Sequence, residues 1–321
     1  MTMAPHKAGE ATVSVCMITY NHAQFVEQAV MSVIEQVADF KVDLIIGDDA
    51  STDDTPEILQ RLRDQFPERI KLELRKSNVG MMENFSSTLG RCNGKYIALL
   101  EGDDYWSDSS KLARQVAYLE NNADFAICFH PVAVSEGGKT VADRFTLPVP
   151  EVTSITDLAR GNYMHTCSVM YRNGLVKELP SDFARSTVGD YFLHMLYARG
   201  GPIGRLPETM AVYRVHAGGV WSSHKNIERK VLQYLDCMIG HFDDQIDAIL
   251  KERYRKISAR VFFALPPDSD RRAQLHDALK YGEDEFLKSL NALQTEHFAS
   301  QNKPWKRFRS AVKYRLKNAL S

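Results

Sequence analysis

The sequence predicts an α/β protein with a mostly parallel central sheet flanked by helices and a helical C-terminal appendage. Short apolar, β-branched runs alternate with segments of helical spacing through the first hundred residues, and this alternation is typical of right-handed βαβ units. From about residue 226 onward, helical segments follow one another, interrupted at Pro266-Pro267 and near Gly282. We therefore expect a flexible N-terminus over residues 1–12, an α/β domain over 13–222, a helical region over 223–302 and a basic amphipathic tail over 303–321.

The elements of the α/β domain follow from apolar spacing taken in chain order. Strands are predicted over residues 13–19, 43–47, 70–74, 96–100 and 125–129. Helices are predicted over residues 24–37, 55–66, 81–89 and 109–121. Pro56 stands at the first position of the second helix, where proline is favoured. Two glycines and two prolines predict a loop or linker over residues 135–150.

Composition excludes several classes of protein. An apolar fraction of 44% and a charged fraction of 25% are typical of globular chains. No apolar run reaches the ~18 residues that a membrane span needs, and the polar N-terminus lacks the apolar region of a secretory signal. The five cysteines form no CxxC pair, which argues against a zinc ribbon or a disulfide scaffold. We expect a reduced, cytoplasmic protein.

The net charge of −1 hides an uneven distribution along the chain. Residues 303–321 carry seven basic side chains and no acidic one, while the remaining residues carry 33 basic against 41 acidic side chains. An acidic body argues against nucleic acid as the main partner. The tail predicts a helix with apolar side chains on one stripe and Lys/Arg elsewhere, suited to an anionic membrane surface at the inner face of the cell membrane. The alternative is a helix packed on the acidic body.

Polar and acidic side chains follow three of the predicted strands. These groups are Tyr20-Asn21 after the first strand, Asp48-Asp49 after the second and Asp103-Asp104 after the fourth. Ligands of open α/β sheets bind beyond the carboxyl ends of the strands, so the three groups predict one site. Oxygen ligands of this kind suit Mg²⁺ or Mn²⁺. The sequence contains no GxGxxG, complete P-loop, HExxH or GxSxG motif.

The sequence resembles the family 2 glycosyltransferases with a GT-A fold. The resemblance covers roughly residues 13–222 and rests on the order and spacing of VSVCMITYNHAQFVEQAVMSVIEQ, IIGDDASTDDT, NVG, GKYIALLEGDDYW, HTCSVMYR, VGDYFLH and YRVHAGGVW. It implies a Rossmann-like sheet and an inverting transfer of a sugar from a nucleotide-diphosphate donor, usually a UDP-sugar, to a hydroxyl acceptor. A saccharide or a lipid-linked saccharide in surface polysaccharide assembly is the expected acceptor.

The resemblance also assigns roles residue by residue. Nucleotide binding falls to Thr19, Tyr20, Asn21, Asp49 (to a uracil-like N–H) and Asp103 (to the ribose or the metal shell). Asp104 and His216 are the implied metal ligands for Mn²⁺ or Mg²⁺, and Asp190 is the implied catalytic base. Apart from the resemblance, Arg214 is expected to act on the diphosphate, and Trp106 to stack on the sugar or to pack against its loop. The chain departs from the family at Gly189, where many members have Glu, and at Ala50, where Gly is usual.

Two other functions remain open at this stage. A metal-dependent nucleotidyltransferase would also be α/β, but it should carry a glycine-rich, basic loop after the first strand, where this chain has Tyr20-Asn21-His22-Ala23. A non-catalytic sugar-nucleotide-binding protein is the second alternative, because a fold does not decide function. The presence of Asp104 and Asp190 favours the enzyme.

Overall fold

The predicted α/β architecture is confirmed in a computed structural model, which describes residues 13–219, 227–264 and 279–301. The strands are β1 (Val13–Thr19), β2 (Val42–Asp48), β3 (Ile70–Leu74), β4 (Tyr96–Glu101), β5 (Tyr105–Trp106), β6 (Ile127–Phe129), β7 (Val132–Glu136), β8 (Lys139–Val141), β9 (Val152–Thr153), β10 (Met170–Arg172), β11 (Ile203–Arg205) and β12 (Ala211–Val215). The helices are α1 (Val26–Ile34), α2 (Thr55–Gln65), α3 (Met81–Leu89), α4 (Lys111–Asn121), α5 (Ile155–Arg160), α6 (Gly189–Tyr197), α7 (Ile227–Met238), α8 (Asp244–Ala264) and α9 (Glu283–Gln301).

An eight-stranded sheet in the order β3-β2-β1-β4-β10-β6-β11-β9 forms the centre of the first domain. The strands β3, β2, β1 and β4 pair in parallel. Strands β1, β2 and β4 are buried over nearly their whole length and are rich in apolar residues, as expected where helices cover both faces of a parallel sheet. Their core includes Val15, Met17, Leu44 and Ala98, with Val30 of α1 packed in the same cluster.

The strand order reverses at β1. The chain adds β2 and β3 on one side of β1 and then returns to add β4 on the other side. In such a sheet the helices that follow the two neighbouring strands diverge, and a crevice opens outside the carboxyl ends at the reversal point. The ends of β1 and β4 are therefore the part of this fold best suited to hold a ligand.

The prediction of a loop over residues 135–150 is wrong for residues 135–141. Residues 132–141 form a hairpin of β7 and β8, with Gly137 (φ 59°) and Gly138 (φ 76°) at its turn. Two successive residues with positive φ are what the tight turn of a twisted hairpin requires, and Gly-Gly supplies both. The hairpin belongs to a second sheet of order β5-β12-β7-β8, and β12 of this sheet ends beside the crevice.

The chain divides into two compact units, Met1–His224 and Lys225–Ser321. In the second unit, Ala259 and Phe262 of α8 pack against Phe286 and Leu290 of α9 in a small apolar core. The Pro266-Pro267 break and the basic tail of residues 303–321 lie outside the described residues. Within the described segments, every helix is too short or too polar to cross a membrane.

Gly47 of β2 provides a test of the packing between the sheet and α3. A Cβ at this position would lie 2.6 Å from Asn84 Oδ1 and would also meet Thr88 Oγ1, and both side chains are buried in α3. We expect Gly47→Ala to lower the free energy of unfolding by about 1–3 kcal/mol, because overpacking forces the helix away from the sheet. Urea denaturation measures this loss.

Gly161 supplies the matched control. It follows α5, and a Cβ there would have no atom within 4 Å. Gly161→Ala should therefore change the free energy of unfolding by less than about 0.5 kcal/mol. Equal stabilities of the two variants would contradict the close approach of α3 to β2.

Candidate active site

The loop after β1 is held by the loop after β2. Three consecutive backbone N–H groups donate to side chains of the second loop: Asn21 to Ser51 Oγ (2.8 Å), His22 to Thr55 Oγ1 (2.9 Å) and Ala23 to Asp53 Oδ2 (3.0 Å). The Asn21 side chain accepts the Thr52 backbone N–H at 2.8 Å in return. These bonds fix the His22 backbone at the end of β1, where the strand order reverses.

His22, Asp103 and His216 form a cluster at the ends of β1, β4 and β12. Asp103 Oδ2 lies 2.9 Å from His216 Nε2 and 3.7 Å from His22 Nε2. One ligand atom from each residue lies within 4.8 Å of the other two. The approach of the β1 and β4 ends depends on Gly102, since a Cβ there would lie 2.6 Å from Thr19 Oγ1.

The chemistry of this cluster fits a divalent cation. Within the described part of the chain, Asp103 Oδ1 and His22 Nδ1 are buried without a hydrogen-bond partner. Burial lowers the pKa of His22, with Asp103 acting in the opposite direction, and the neutral imidazole is the form that binds a metal. Imidazole ligands are common for transition metals, whereas Mg²⁺ favours oxygen alone. Of the two predicted ions, Mn²⁺ therefore fits this set better.

Of the two acids, Asp103, which was predicted for the ribose or the metal shell, lies in the candidate cluster, whereas the role of Asp104 as a metal ligand stays a prediction. Asp104 is 1% exposed, and its Oδ1 accepts the backbone N–H of Arg214 at 2.8 Å. Its carboxylate joins no candidate metal cluster among the described residues. The two acids lie in the turn after β4, where Asp103 contacts His216 while Asp104 faces the backbone of β12. Asp104 instead ties the end of β4 to β12.

Arg214 holds in place the turn of Gly102, Asp103 and Asp104 after β4, which we call the acidic turn. Its Nη1 donates to the Asp103 carbonyl at 2.6 Å and its Nη2 donates to Gln28 of α1. The guanidinium also lies 4.4 Å from the Tyr105 ring centroid and 5.1 Å from that of Phe25. Burial lowers the pKa of this guanidinium. Arg214 is thus a half-buried cation that fixes the Asp103 backbone next to the cluster.

The residues predicted to bind the nucleotide have different surroundings. Asp49 is 2% exposed, and its two oxygens accept the backbone N–H groups of Val79 (2.8 Å) and Gly80 (2.9 Å). This arrangement orders the loop before α3, and the uracil contact of Asp49 stays a prediction. Thr19 is buried, whereas Tyr20 is 44% exposed and offers its ring to solvent at the crevice.

Asp190 lies in the first turn of α6. Its Oδ2 accepts the Thr166 hydroxyl at 2.7 Å, and its Oδ1 accepts the Tyr191 backbone N–H at 2.7 Å. The side chain keeps about a fifth of its surface exposed, 20%. Burial raises the pKa of Glu101 well above its ordinary value, and the carboxylates of three neighbours, Asp103, Asp104 and Asp190, raise it further. Glu101 is therefore close enough to Asp103, Asp104 and Asp190 for their charges to act on it.

Trp106 is a packing residue in this structure. Its side chain is 4% exposed, its indole N–H donates to the Cys167 carbonyl at 2.9 Å, and the Lys111 ammonium lies 4.0 Å from its ring centroid. A ring enclosed on these sides cannot stack on a sugar. Of the two predicted roles for Trp106, packing against its loop is the one that fits.

Sequence reasoning missed His22, Glu101 and Thr166. His22 directly follows the predicted pocket residues at the end of β1, so an imidazole at that strand end was a signal. Glu101 immediately precedes the Gly102-Asp103-Asp104 turn and could have been grouped with it. Thr166 has no such signal, because its contact with Asp190 joins positions 24 residues apart.

The chain is similar in sequence to a known family and to two proteins of other organisms. The family model described as Glycosyl transferase family 2 matches residues 14–179. An uncharacterized protein of Mycobacterium tuberculosis is 36% identical over 324 residues, which cover 96% of this chain and 88% of that protein. The Escherichia coli UDP-Glc:alpha-D-GlcNAc-diphosphoundecaprenol beta-1,3-glucosyltransferase WfaP is 29% identical over 209 residues, covering 65% of this chain and 79% of WfaP.

A solved structure shares the fold. The mannosyltransferase PcManGT from Pyrobaculum calidifontis, in complex with GDP-Man and Mn²⁺, aligns with a TM-score of 0.58 and 18% sequence identity. The alignment covers 99% of this chain and 88% of that one. The α/β architecture described above is therefore the GT-A fold that the sequence resemblance implied.

The cluster generates a prediction about metal binding. We expect Asp103→Asn and His216→Ala each to weaken Mn²⁺ binding by about tenfold or more, because each removes one of three candidate ligands. The measurement is the free-Mn²⁺ signal in electron paramagnetic resonance during titration of the full chain. Asp39→Asn, at an exposed loop carboxylate, is the control and should bind as the parent does. Parent-like affinity in both test variants would exclude the cluster as the metal site.

Proposed function

The chain belongs to the family 2 glycosyltransferases, and we propose that it is an inverting, metal-dependent hexosyltransferase. The donor is a nucleotide-diphosphate sugar, with a UDP-sugar as the first candidate. The acceptor is a hydroxyl of a saccharide or of a lipid-linked saccharide in the assembly of a surface polysaccharide. Its place of action is the cytoplasm or the inner face of the cell membrane.

One juxtaposition carries this proposal. A set of candidate cation ligands, His22, Asp103 and His216, lies at the sheet's reversal point. Asp190 of α6 accepts the hydroxyl of Thr166, and the carbonyl of the next residue, Cys167, accepts the indole N–H of Trp106, two residues after the Asp103-Asp104 pair. Transfer from a nucleotide sugar needs these two functions: charge stabilisation for the leaving diphosphate and a base for the attacking hydroxyl. A hydrolase with two carboxylates would not need the cation set.

The cation set serves the leaving group. When bound, a divalent cation supplies a Lewis acid that stabilises the charge of the departing nucleoside diphosphate by several kcal/mol. His22, Asp103 and His216 would hold it. Arg214 keeps the Asp103 backbone in place through its bond to the Asp103 carbonyl. The exposed Tyr20 ring at the end of β1 is the surface on which we place the nucleobase.

Asp190 serves the acceptor. Thr166 and the N-terminal turn of α6 orient its carboxylate, and the exposed part of the side chain can accept a hydrogen bond from an incoming hydroxyl. Taking that proton as the new bond forms contributes about 10²–10⁴-fold to the rate. A single displacement with one base inverts the anomeric centre.

The lipid-linked acceptor rests on two observations. The E. coli relative WfaP is named for transfer to a sugar diphosphate on undecaprenol, and this chain has a basic tail over residues 303–321. In the tail, apolar positions recur at spacings of three and four: Trp305, Phe308, Val312, Leu316 and Ala319. An amphipathic basic helix of this kind binds at the interface of an anionic membrane.

A donor screen tests the proposed activity. The full chain is incubated with Mn²⁺ and UDP-glucose, UDP-N-acetylglucosamine, UDP-galactose or GDP-mannose, and release of the nucleoside diphosphate is measured with trial acceptors. We expect metal-dependent release from a UDP-sugar, and Asp190→Asn should lower kcat by about 10²-fold or more while the donor KM stays nearly unchanged.

Other outcomes of the screen would change the assignment. A loss of donor affinity in Asp190→Asn without a loss of kcat would make Asp190 a binding residue. Full turnover in excess EDTA would remove the metal from the mechanism. Donor binding without release under every condition would favour a sugar-nucleotide-binding protein.

The tail prediction uses vesicles of stated composition. We expect the full chain to bind phosphatidylglycerol vesicles more tightly than phosphatidylcholine vesicles, with binding that weakens as salt rises, because each basic residue near an anionic surface contributes about 1 kcal/mol. Sedimentation with vesicles measures this. Truncation after Asn302 should abolish the difference and leave release from a soluble acceptor mixture unchanged. Unaltered vesicle binding after truncation would show that the tail does not bind the membrane.

A further inference from the structure

A buried histidine lies directly behind Asp190. His194 is one helical turn further along α6, and its Nε2 is 4.0 Å from Asp190 Oδ2. The side chain is 0% exposed, and Nε2 has no hydrogen-bond partner within the described residues. The other side chains of α6 from position 191 to 197 are apolar or aromatic and also buried. Burying an imidazole in such surroundings costs free energy of folding unless its two nitrogens find hydrogen-bond partners.

Tyr171 of β10 fixes the state of this imidazole. The Tyr171 hydroxyl lies 2.5 Å from His194 Nδ1, and its ring stacks on Tyr197 at a centroid distance of 4.3 Å. Burial lowers the pKa of His194 to about 4, with Asp190 acting in the opposite direction, and burial raises the pKa of the Tyr171 phenol. Both groups are therefore neutral at pH 7, and the tyrosine keeps its proton.

The hydrogen-bond directions follow from the charge on Asp190. If Nδ1 carried the imidazole proton, the lone pair of Nε2 would face the Asp190 carboxylate, which is unfavourable. If the Tyr171 hydroxyl donates to Nδ1, the proton is on Nε2 and points at Asp190. The second arrangement satisfies the phenol and aims a donor at the carboxylate. A carboxylate or hydroxyl partner on one imidazole nitrogen commonly sets the tautomer at the other.

We propose that His194 is a positioning residue for Asp190, with Tyr171 holding the imidazole so that its Nε2–H supports the carboxylate from inside the protein. The inference rests on the proposed role of Asp190 as the base. The present separation of 4.0 Å is longer than a hydrogen bond, and catalytic hydrogen bonds often tighten only when substrate is bound. In that state both Thr166 and His194 would donate to Asp190 Oδ2, and the two bonds would keep the carboxylate turned toward the acceptor.

A set of variants separates this role from simple packing. His194→Leu removes the donor, His194→Gln keeps an N–H donor, and Tyr171→Phe removes the group that fixes the tautomer. We expect kcat to fall roughly tenfold in His194→Leu, in line with the coupling between residues in contact, to be largely restored in His194→Gln and to fall less in Tyr171→Phe. The donor KM should stay unchanged in all three.

His130 is the matched control. It is also a buried histidine, 2% exposed, whose Nε2 has no partner within the described segments, but it contacts the Pro131 carbonyl rather than Asp190. His130→Leu should lower the urea midpoint of unfolding and leave kcat unchanged. The kcat values of the His194 variants and of His130→Leu are compared at equal folded fractions, which denaturation measures.

A double-mutant cycle with Asp190→Asn decides the proposal. If His194 acts through Asp190, His194→Leu should have no further effect on kcat in the Asp190→Asn background. Additive losses in that background, or a glutamine variant as slow as the leucine variant, would overturn the positioning role. If His194→Leu does not fold, the cycle is measured with Tyr171→Phe in its place. A parent-like kcat in His194→Gln, together with a Tyr171→Phe effect on kcat that disappears in the Asp190→Asn background, then supports the role. Additive losses in that background overturn it. Full activity of Asp190→Asn alone would instead refute the base assignment.

Discussion

Parallel pairing of β1 with β2 on one side and with β4 on the other is the constraint on which the site depends. The two registers place Thr19 opposite Asp48 and Ile18 opposite Glu101. Because parallel strands end at the same edge, the loops that follow them must share one crevice. The separation of 3.7 Å between His22 and Asp103 is a direct consequence of that pairing.

Many acidic side chains in this crevice brace its loops. Asp48 accepts the Ser51 backbone N–H, Asp49 accepts two amides before α3, and Asp53 accepts the Ala23 N–H. Loops at strand ends leave backbone donors that no ladder satisfies, and carboxylates supply acceptors for them. The acid-rich loop after β2 therefore gives rigidity, while the groups that can hold a cation come from the ends of β1, β4 and β12.

Apolar runs and helical spacing along the chain determined the α/β class and most of the elements. The strands predicted over 13–19 and 70–74 and the helix over 81–89 have the observed bounds. A continuous apolar run, an alternation of period two and a helical spacing can each be recognised without a distant partner. The sequence also located paired acids after the fourth strand. The hairpin at Gly137-Gly138 was missed because its strands are too short for a period to emerge.

Only the tertiary structure decided what the individual polar groups do. Asp103 and Asp104 are neighbouring acids in the sequence. In the fold, Asp104 accepts the backbone N–H of Arg214 on β12, and His216, 113 residues along the chain, contacts Asp103. The same holds for Trp106, which could have faced a ligand until the fold enclosed it. In the sequence, His194 is one polar residue in an apolar helix, and its tautomer depends on a contact with Tyr171 of β10. Apolar burial is a property of single positions and their spacing, whereas the role of a charge, an imidazole or an indole depends on partners that folding brings together.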